Sequence, residues 1–407
     1  MNAKHGVVLA GLLLLGWVGL AWAEIQVDGD FPGGNVVVDS INPETNVVQI
    51  RPRGNYFFFT FRVRGAEGRT LQFEFEPGSH RLGSLGPAVC SNLNPDWKFL
   101  FAEKNPEKRQ FRYTFAPGET SVFFAHAIPY TQQNWDAFLE PYRLRQEIRL
   151  ETLCRSRSGK REVEMLRISP KNPNARFFLA FTARHHACEV PASYAMEGMI
   201  QEFLADTPEG KWLRENTECV FIPFMDKDGV EEGDQGKNRM PHDHNRDYIQ
   251  EIYPTVKAFK KVLREEPQGK PFVFMDMHAP WIRDNEHEQL FSLGPETEKF
   301  QERWNRFRVL LQEKQAGGAL SYDRSWDIPA GVGYNQTKNF IGDGTLLSSN
   351  RWAQTLPNAY CAFSMEFPYA LCGGGVMTPQ NARELGRNIA KAWASLLREE
   401  VEKVQAR

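Results

Sequence analysis

A histidine and a glutamate stand three residues apart directly after an apolar run. The run covers residues 177–182 and is typical of a buried strand, and His186 and Glu189 follow it. Imidazole nitrogens and carboxylate oxygens are ligands that zinc prefers, and a catalytic zinc site keeps one coordination position for water. Because ligands of open α/β sheets bind beyond the carboxyl ends of the strands, this turn is a candidate for two of three zinc ligands.

A second histidine follows another run with strand character. Residues 272–275 are apolar, and Asp276 and His278 come directly after them. In a parallel sheet His278 would lie at the same edge as His186 and Glu189, which completes a set of three ligands. Asp276 is placed to orient a ligand histidine through its other ring nitrogen. Taken alone, His278 is equally compatible with a histidine that is hydrogen-bonded at the end of a strand.

A carboxylate interrupts a late apolar run. Glu366 lies within residues 361–367, and strand alternation places it on the same face as Ala362 and Ser364. A buried carboxylate is costly unless it is paired, metal-linked or functional. Small neighbours leave room for water or substrate, so Glu366 is a candidate for the general base of a hydrolysis. The alternative is a buried salt-bridge partner.

Residues 226–246 carry a group of polar and basic side chains between these regions. An arginine offers a planar pair of donors and an asparagine adds a neutral donor, which suits recognition of a carboxylate. The residues of that kind are Arg239, Asn245 and Arg246. A solvated basic loop is the alternative. His242 and His244 in the same segment are better explained as surface or supporting residues than as ligands.

The elements that must position these residues alternate between strand and helix after about residue 128. This alternation predicts an α/β fold with a mixed, largely parallel sheet and helices on both faces. A hairpin with strands at 147–154 and 162–168 precedes it. The other predicted strands are 177–182, 219–224, 272–275 and 361–367, and the predicted helices are 131–142, 191–204, 254–264, 296–313 and 379–404.

Residues 24–127 have a different pattern, with short alternating apolar and polar runs separated by glycine, proline and asparagine. Strands at this spacing indicate an all-β sandwich domain. No cluster of acids, bases or nucleophiles stands out in it. We therefore expect this domain to shape or support a site, and we expect the chemistry in a catalytic domain at 128–407.

The first 23 residues have the pattern of a secretory signal peptide, with Lys4, an apolar stretch at 7–20 and an Ala-Trp-Ala site before Glu24. This predicts an exported protein, periplasmic or secreted. The alternative is an N-terminal membrane anchor, but the stretch is short for a span. We therefore expect no stable membrane span after cleavage of the signal.

The overall composition argues against a nucleic-acid partner and against a zinc site made of cysteines. The formal net charge is −2 and there is no block of lysine and arginine, which argues against a nucleic-acid partner. Six cysteines in an exported chain permit disulfides without fixing their pairing. No C-x-x-C pair is present, so a cysteine zinc site is not expected.

The order of the motifs resembles the zinc metallocarboxypeptidases of the carboxypeptidase A-like superfamily. The likeness is closest to the cytosolic-carboxypeptidase-like branch, which carries a β-sandwich ahead of its catalytic domain, and it runs from about residue 50 to the C-terminus. The motifs are R-x-H-x-x-E at 184–189, D-x-x-G-V at 226–230, an arginine and then Asn-Arg at 239–246, D-x-H at 276–278 and the late glutamate.

The resemblance implies one zinc ion per chain and a peptide hydrolase that acts at the C-terminus of peptides or proteins. His186, Glu189 and His278 would hold the metal. Glu366 would activate the attacking water and pass its proton to the leaving amine. Arg239 would polarise the scissile carbonyl and stabilise its oxyanion.

The resemblance also implies how the substrate is held. Asn245 and Arg246 would clamp its terminal carboxylate. Arg351 lies fifteen residues before Glu366, where the branch that trims glutamate carries a basic residue, which implies a preference for acidic C-terminal residues. An exposed loop arginine is the alternative reading of Arg351.

Two motifs depart from the pattern of that family. Residues 186–189 read His-Ala-Cys-Glu where the family has H-P-G-E, and residues 226–229 read Asp-Lys-Asp-Gly where it has N-P-D-G. These motifs do not place the tyrosine with which that family closes over its substrate, and Tyr334 and Tyr369 are both candidates for it. These departures affect fine specificity more than activity.

Three functions remain for comparison. The first is an exported zinc carboxypeptidase that removes single residues from peptide C-termini. The second keeps the metal but acts on peptidoglycan stem peptides, as a carboxypeptidase or amidase. The third is a non-catalytic binding protein on the same scaffold, which the presence of all three ligands and of Glu366 disfavours.

Overall fold

The computed structural model describes residues 24–406, apart from positions 55, 78–80, 173, 283–286 and 342–343. The predicted signal peptide, residues 1–23, lies outside the described residues. Within the described part of the chain, none of the helices combines the length and hydropathy that a transmembrane span requires. All six cysteines are described, and none of them is disulfide-bonded.

The first part of the chain forms two facing β-sheets. Its strands are β1 (Gln26–Asp28), β2 (Val37–Asn42), β3 (Val47–Arg51), β4 (Thr60–Arg64), β5 (Thr70–Phe75), β6 (Ala88–Ser91), β7 (Lys98–Phe99), β8 (Gln110–Thr114) and β9 (Ser121–Ala125). One sheet has the order β1-β4-β9-β6-β7 and the other β2-β3-β5-β8. Their shared core is rich in phenylalanine, and the ring of Phe73 lies 5.3 Å from that of Phe124 in the opposite sheet. The predicted all-β sandwich is therefore confirmed.

A buried histidine lies where the sandwich meets the second part of the chain. His126 is 1% exposed, and its ring centroid lies 4.9 Å from that of Phe57 and 5.0 Å from that of Tyr369. Its Nδ1 is 3.3 Å from the carbonyl oxygen of Arg81. Burial lowers the pKa of His126 to about 3, because the aromatic surroundings disfavour the charged ring.

This histidine makes the fold sensitive to acid. Above the unfolded pKa, about 6.5, His126 is neutral in both states, but between that value and about 3 only the unfolded chain binds the proton. Stability is therefore lost as the pH falls through this window, by about 1.4 kcal/mol per unit. We expect acidification from pH 7 to 5 to destabilise the wild type by about 2 kcal/mol more than His126→Gln. Urea unfolding of both proteins in EDTA measures this difference, and equal losses would contradict it.

The second part of the chain is built on a seven-stranded sheet with the order β10-β11-β13-β12-β14-β16-β15. These strands are β10 (Ile148–Arg155), β11 (Glu162–Ile168), β12 (Phe177–Ala183), β13 (Thr217–Ile222), β14 (Phe272–His278), β15 (Phe291–Leu293) and β16 (Ala359–Glu366); a small hairpin follows, β17 (Leu371–Cys372) and β18 (Gly375–Val376). The central strands β13, β12, β14 and β16 are parallel, and the pairs at both edges are antiparallel. The predicted mixed sheet with a parallel centre is confirmed.

Helices cover both faces of this sheet, as predicted. They are α1 (Gln132–Leu139), α2 (Pro191–Leu204), α3 (Pro208–Asn216), α4 (Lys227–Glu232), α5 (Pro254–Glu265), α6 (Glu298–Gln315), α7 (Lys338–Ile341), α8 (Ser349–Gln354) and α9 (Pro379–Gln405). One core contains Phe363 of β16 with residues of α2, α6 and α9. The core on the other face contains Ala362 with residues of α5 and α8. The alternation predicted for β16 is thus observed.

The helix that follows the His-x-x-Glu turn is fixed by a close helix crossing. A Cβ atom on Gly198 of α2 would lie 2.0 Å from the carbonyl oxygen of Arg383, and one on Gly386 of α9 would lie 1.9 Å from that of Ala195. Glycine is required at both positions because the two backbones touch there. Since α2 begins two residues after Glu189, this packing holds the carboxylate in place.

The short helices were not predicted. α4 spans six residues, too few for a periodic apolar pattern, and its start is set by Asp226, whose side chain accepts a hydrogen bond from the amide of Gly229. β14 also runs further than predicted, to His278 instead of residue 275. Asp276 and His278 are therefore strand residues with their positions fixed by the ladder.

Candidate active site

Three side chains that are distant in sequence meet at the carboxyl edge of the sheet. Nδ1 of His186 lies 2.9 Å from Oε1 of Glu189, and Nδ1 of His278 lies 2.8 Å from Oε2 of the same carboxylate. One donor atom from each of the three residues lies within 4.8 Å of the others. The turn that carries the first two begins at Arg184, which adopts a positive φ of 61°. Such backbone strain persists only where the surrounding structure holds it.

A carboxylate lies near the second ring nitrogen of each imidazole, and the one beside His278 is within hydrogen-bond distance. Nε2 of His186 lies 3.4 Å from Oδ1 of Asp243, and Nε2 of His278 lies 2.7 Å from Oδ2 of Asp276. Carboxylates at the second ring nitrogen fix the orientation and tautomer of ligand histidines. Two imidazole nitrogens turned toward one carboxylate are the donor set of a catalytic zinc site. The residues present therefore fit zinc.

A second group could also hold a metal ion, since His185, Asp276 and His278 place their donor atoms equally close together. However, Asp276 already accepts hydrogen bonds from Thr182, at 2.7 Å, and from Ser349. His185 lies between Oδ1 of Asp276 and the hydroxyl of Tyr248, 2.8 Å from each. These atoms are satisfied by protein partners, so this group is better explained as the support of His278.

Glu366 lies beside the ligands on the neighbouring strand. It is 2% exposed, and its backbone is paired with that of His278. Oε1 accepts a hydrogen bond of 3.1 Å from the Tyr334 hydroxyl, and Oε2 has no hydrogen-bond partner among the described residues. Burial raises the pKa of Glu366, against the opposing influence of His278. Such a carboxylate is suited to accept and release a proton.

The two tyrosines considered for the closing role have different surroundings. Tyr334 is 46% exposed and reaches Glu366 from a loop. Tyr369 is buried, and its hydroxyl lies 3.4 Å from the sulfur of Cys188. A side chain that covers a substrate needs access to the cleft, so the geometry favours Tyr334.

Lys237 brings an ammonium group to the ligands, which sequence reasoning did not anticipate. Its Nζ lies 2.9 Å from Oε1 of Glu189 and 3.4 Å from the carbonyl oxygen of Ala279. Burial alone would lower the pKa of Lys237, but the groups around it, Glu189 foremost, together raise that pKa above its usual value. The signal in the sequence was the preceding Gly236. It has a φ of 82°, and a Cβ there would lie 2.3 Å from the amide nitrogen of Ala187.

Arg239 is held at a different place. Its Nε and one terminal nitrogen each lie 2.9 Å from an oxygen of Asp226, and the other terminal nitrogen lies 3.1 Å from Asp234. It lines a cleft of about 340 Å³ together with Asp226, His244 and Tyr253. Two carboxylates therefore hold the guanidinium of Arg239, and its hydrogen bonds go to them and not to His186, Glu189 or His278.

Asn245 and Arg246 follow the loop on a short 3-10 turn. Nδ2 of Asn245 lies 3.1 Å from Nε2 of His278, and Oδ1 accepts a hydrogen bond of 2.9 Å from the amide of Ser349. Arg246 donates to the carbonyl oxygen of Asn339 at 3.1 Å. The pair is therefore adjacent to the ligands, with Asn245 buried and Arg246 partly exposed. His242 instead bonds Asp247 at 2.8 Å, and His244 stacks on Tyr253, so neither joins the ligand cluster.

Arg351 lies on α8, which begins at the Ser349 that contacts Asn245. It is 7% exposed and forms an ion pair with Glu296, which is itself partly exposed. The alternative of an exposed loop arginine is therefore wrong. Arg351 is a buried cation on a helix whose first residue contacts Asn245.

The sandwich is bonded directly to the loop that carries Lys237. The side chain of Asn35 donates to the carbonyl oxygen of Gly233 at 2.7 Å, and the amide of Phe58 donates to Oε1 of Gln235 at 3.1 Å. Nε2 of Gln235 in turn lies 2.9 Å from the sulfur of Cys188, inside the His-x-x-Glu turn. These contacts fit the supporting role expected for the sandwich.

The family model for zinc carboxypeptidases matches residues 143–278. The matched segment contains His186, Glu189 and His278, and Glu366 lies beyond it. Among curated proteins, the chain is 24% identical over 343 residues to cytosolic carboxypeptidase 6 of Homo sapiens and 23% identical over 342 residues to that of Mus musculus. Each alignment covers 77% of this chain, and the chain spans 65% and 60% of those relatives.

Solved structures share the whole architecture. A metallo-carboxypeptidase from Burkholderia cenocepacia matches with a TM-score of 0.73 at 18% identity, covering 92% of this chain and 100% of that one. A metallo-carboxypeptidase from Pseudomonas aeruginosa, in complex with (2-guanidinoethylmercapto)succinic acid, matches with a TM-score of 0.69 at 22% identity, covering 92% and 99%. These matches establish the fold, sandwich included.

Proposed function

We propose that this chain, whose residues 143–278 match the family model for zinc carboxypeptidases, hydrolyses the C-terminal peptide bond of peptides or proteins. The observation that carries the proposal is the convergence of His186, Glu189 and His278 on one point beside the buried carboxylate of Glu366. A binding protein without catalytic activity would have no need for that carboxylate. The proposal therefore assigns a metal site and a general base to adjacent strands.

Each residue of the site has a separate role in the proposed reaction. Bound zinc supplies Lewis-acid polarisation of the scissile carbonyl and of water. Glu366 accepts the proton of the attacking water, which forms the new carbon–oxygen bond. It then returns that proton to the nitrogen of the breaking amide, and the amino acid leaves as a neutral amine. The Tyr334 hydroxyl, 3.1 Å from Oε1, orients the carboxylate during both transfers.

The same proposal assigns the terminal carboxylate of the substrate to Asn245 and Arg246. Their position next to His278 would hold the last peptide bond at the metal and no other bond. This restricts cleavage to one residue at a time from a free C-terminus. Such positioning of the reacting groups is a large part of the catalytic advantage of an enzyme.

Product analysis tests the proposal. The zinc-loaded protein is incubated with linear peptides that differ only in the last residue, and released amino acids are identified by mass spectrometry. The proposal expects release of one C-terminal amino acid and no release from the same peptides with an amidated C-terminus. Internal cleavage, or no cleavage of any free C-terminus, would contradict it. Activity on muropeptides alone would favour the stem-peptide alternative.

We propose further that the protein acts outside the cytoplasm. The signal-like pattern of residues 1–23 supports export to the periplasm or the medium. Fractionation of cells that produce the full chain tests this, with the size of the recovered protein as a readout of signal removal.

We also propose that Arg351 gives the site a preference for acidic C-terminal residues. A charged hydrogen bond is worth about 1.5–3 kcal/mol, so Arg351→Ala is expected to lower the kcat/KM ratio of glutamate-ending over leucine-ending peptides by about 10- to 100-fold. The matched variant is Glu296→Gln, which removes the partner carboxylate of Arg351 and keeps its charge. That variant should retain or increase the preference. An unchanged preference in Arg351→Ala would contradict the assignment.

A further inference from the structure

Hydrolysis of an amide requires positive charge or hydrogen-bond donors where the carbonyl oxygen becomes an oxyanion. Arg239, which the resemblance assigned to this task, is engaged by Asp226 and Asp234 through three contacts of 2.9–3.1 Å. Moving the guanidinium to the metal site would leave the buried carboxylate of Asp226 without its partner. That loss is strongly unfavourable for a buried charge pair.

Lys237 lies beside the residues predicted to hold the metal and to act as the base. Its ammonium is 2.9 Å from the Glu189 carboxylate, and its charge also interacts with Glu366 and Tyr334. A quarter of its side-chain surface, 25%, remains exposed. Its stem follows Gly236, whose missing side chain lets the backbone lie directly against the turn at Ala187.

We propose that Lys237, and not Arg239, supplies the positive charge that stabilises the oxyanion in this protein. The inference rests on the proposed carboxypeptidase function. A metal ion held by Glu189 would share that carboxylate with Lys237, which would leave the ammonium available to the substrate oxygen. A lysine offers a compact, flexible charge, in contrast to the rigid donor fork of arginine.

The contacts of the loop explain how Lys237 is positioned. Gly233 and Gln235 are hydrogen-bonded to Asn35 and Phe58 of the sandwich, two to four residues before Lys237. The loop is therefore fixed on one side by the sandwich and on the other by the His-x-x-Glu turn. The sandwich thereby takes part in placing a catalytic cation.

The test compares Lys237→Gln, Lys237→Arg and Arg239→Gln with the wild type. Four quantities are measured for each: kcat, KM, zinc content, and affinity for a peptide in which a tetrahedral phosphonate replaces the scissile amide. Binding of the product amino acid serves as a ground-state reference. The phosphonate carries negative charge where the oxyanion develops, so its affinity reports on transition-state stabilisation separately from turnover.

For Lys237→Gln we expect kcat to fall by about 10²–10³, with KM changed by less than about threefold and one zinc per chain retained. Phosphonate affinity should fall in parallel, while product binding should not. Lys237→Arg should recover part of the loss because it restores the charge. Arg239→Gln should lower the unfolding midpoint, with a loss of phosphonate affinity below about tenfold.

Several outcomes would overturn the inference. One is a phosphonate affinity that survives in Lys237→Gln and disappears in Arg239→Gln. Another is loss of zinc from both Lys237 variants, which would make Lys237 a support of the metal site only. If the wild type cleaves no peptide, the proposed function itself fails; if it cleaves and Lys237→Gln is equally fast, only the role of Lys237 is wrong.

Discussion

Replacing Glu366 with glutamine is expected to lower kcat by about 10²–10⁴ while the protein keeps one zinc per chain. Glutamine has nearly the same shape as glutamate, so the packing of β16 and the hydrogen bond from Tyr334 can persist. An amide cannot accept the proton of the attacking water, and it has none to return to the leaving amine. Steady-state kinetics on the preferred peptide, together with metal analysis, measures both effects.

A matched control separates loss of the base from loss of a buried carboxylate in general. Glu197 of α2 is 1% exposed and bonds the hydroxyl of Tyr130 and the guanidinium of Arg383 on α9. Glu197→Gln should lower the unfolding midpoint and leave the kcat of the folded protein within a few-fold of wild type. If Glu366→Gln retained activity within tenfold of wild type, another group would have to act as the base.

The convergence of His186, Glu189 and His278 could be predicted from the sequence because it depends on local signals. Apolar runs of strand length end immediately before His186 and near His278, and parallel neighbours bring their carboxyl ends to one edge. The alternation around Glu366 was equally local, and the structure places its apolar neighbours in one core and its small neighbours on the other face. The alternation of side chains along a strand and the positions of the strand ends were sufficient to predict where His186, His278 and Glu366 lie.

The identity of the catalytic cation could not be predicted in this way. Residues 233–246 have no periodic pattern, so nothing in the sequence distinguishes which of Lys237 and Arg239 turns toward Glu189. The orientation of the two side chains depends on partners that are distant in sequence, since Arg239 is hydrogen-bonded to Asp226 and Gly236 lies against Ala187. Gly236 was the available signal, but a single glycine in a loop does not reveal what it packs against.

The role of the sandwich was beyond sequence reasoning for the same reason. Its strands were predictable from alternation, but the contacts of Asn35 and Phe58 with the loop join residues about 180–200 positions apart. Hydrogen bonds of this kind are properties of the assembled fold. Through these hydrogen bonds the sandwich helps to position Lys237. The residue types of the sandwich alone do not indicate this role.

Removing one ligand histidine should have the other large effect. In His186→Ala two ligands remain, and we expect zinc affinity to fall by more than the roughly 10- to 100-fold that losing a supporting partner costs, with activity lost in proportion. His242→Gln is the control, because its ring bonds Asp247 and not the ligands. Titration with a chelator of known affinity measures the dissociation constant of zinc in each variant, and circular dichroism confirms folding.

The same titration decides between the two groups that could hold the metal. If zinc binds His186, Glu189 and His278, then His185→Ala should weaken zinc only as a supporting residue does, by about 10- to 100-fold. If zinc instead binds His185, Asp276 and His278, the order is reversed and His186→Ala keeps the tighter site. The two imidazoles are neighbours in sequence and nearly equal in burial. Both variants remove an imidazole ring from the same turn. The difference between their zinc dissociation constants therefore reports which of the two histidines coordinates the metal.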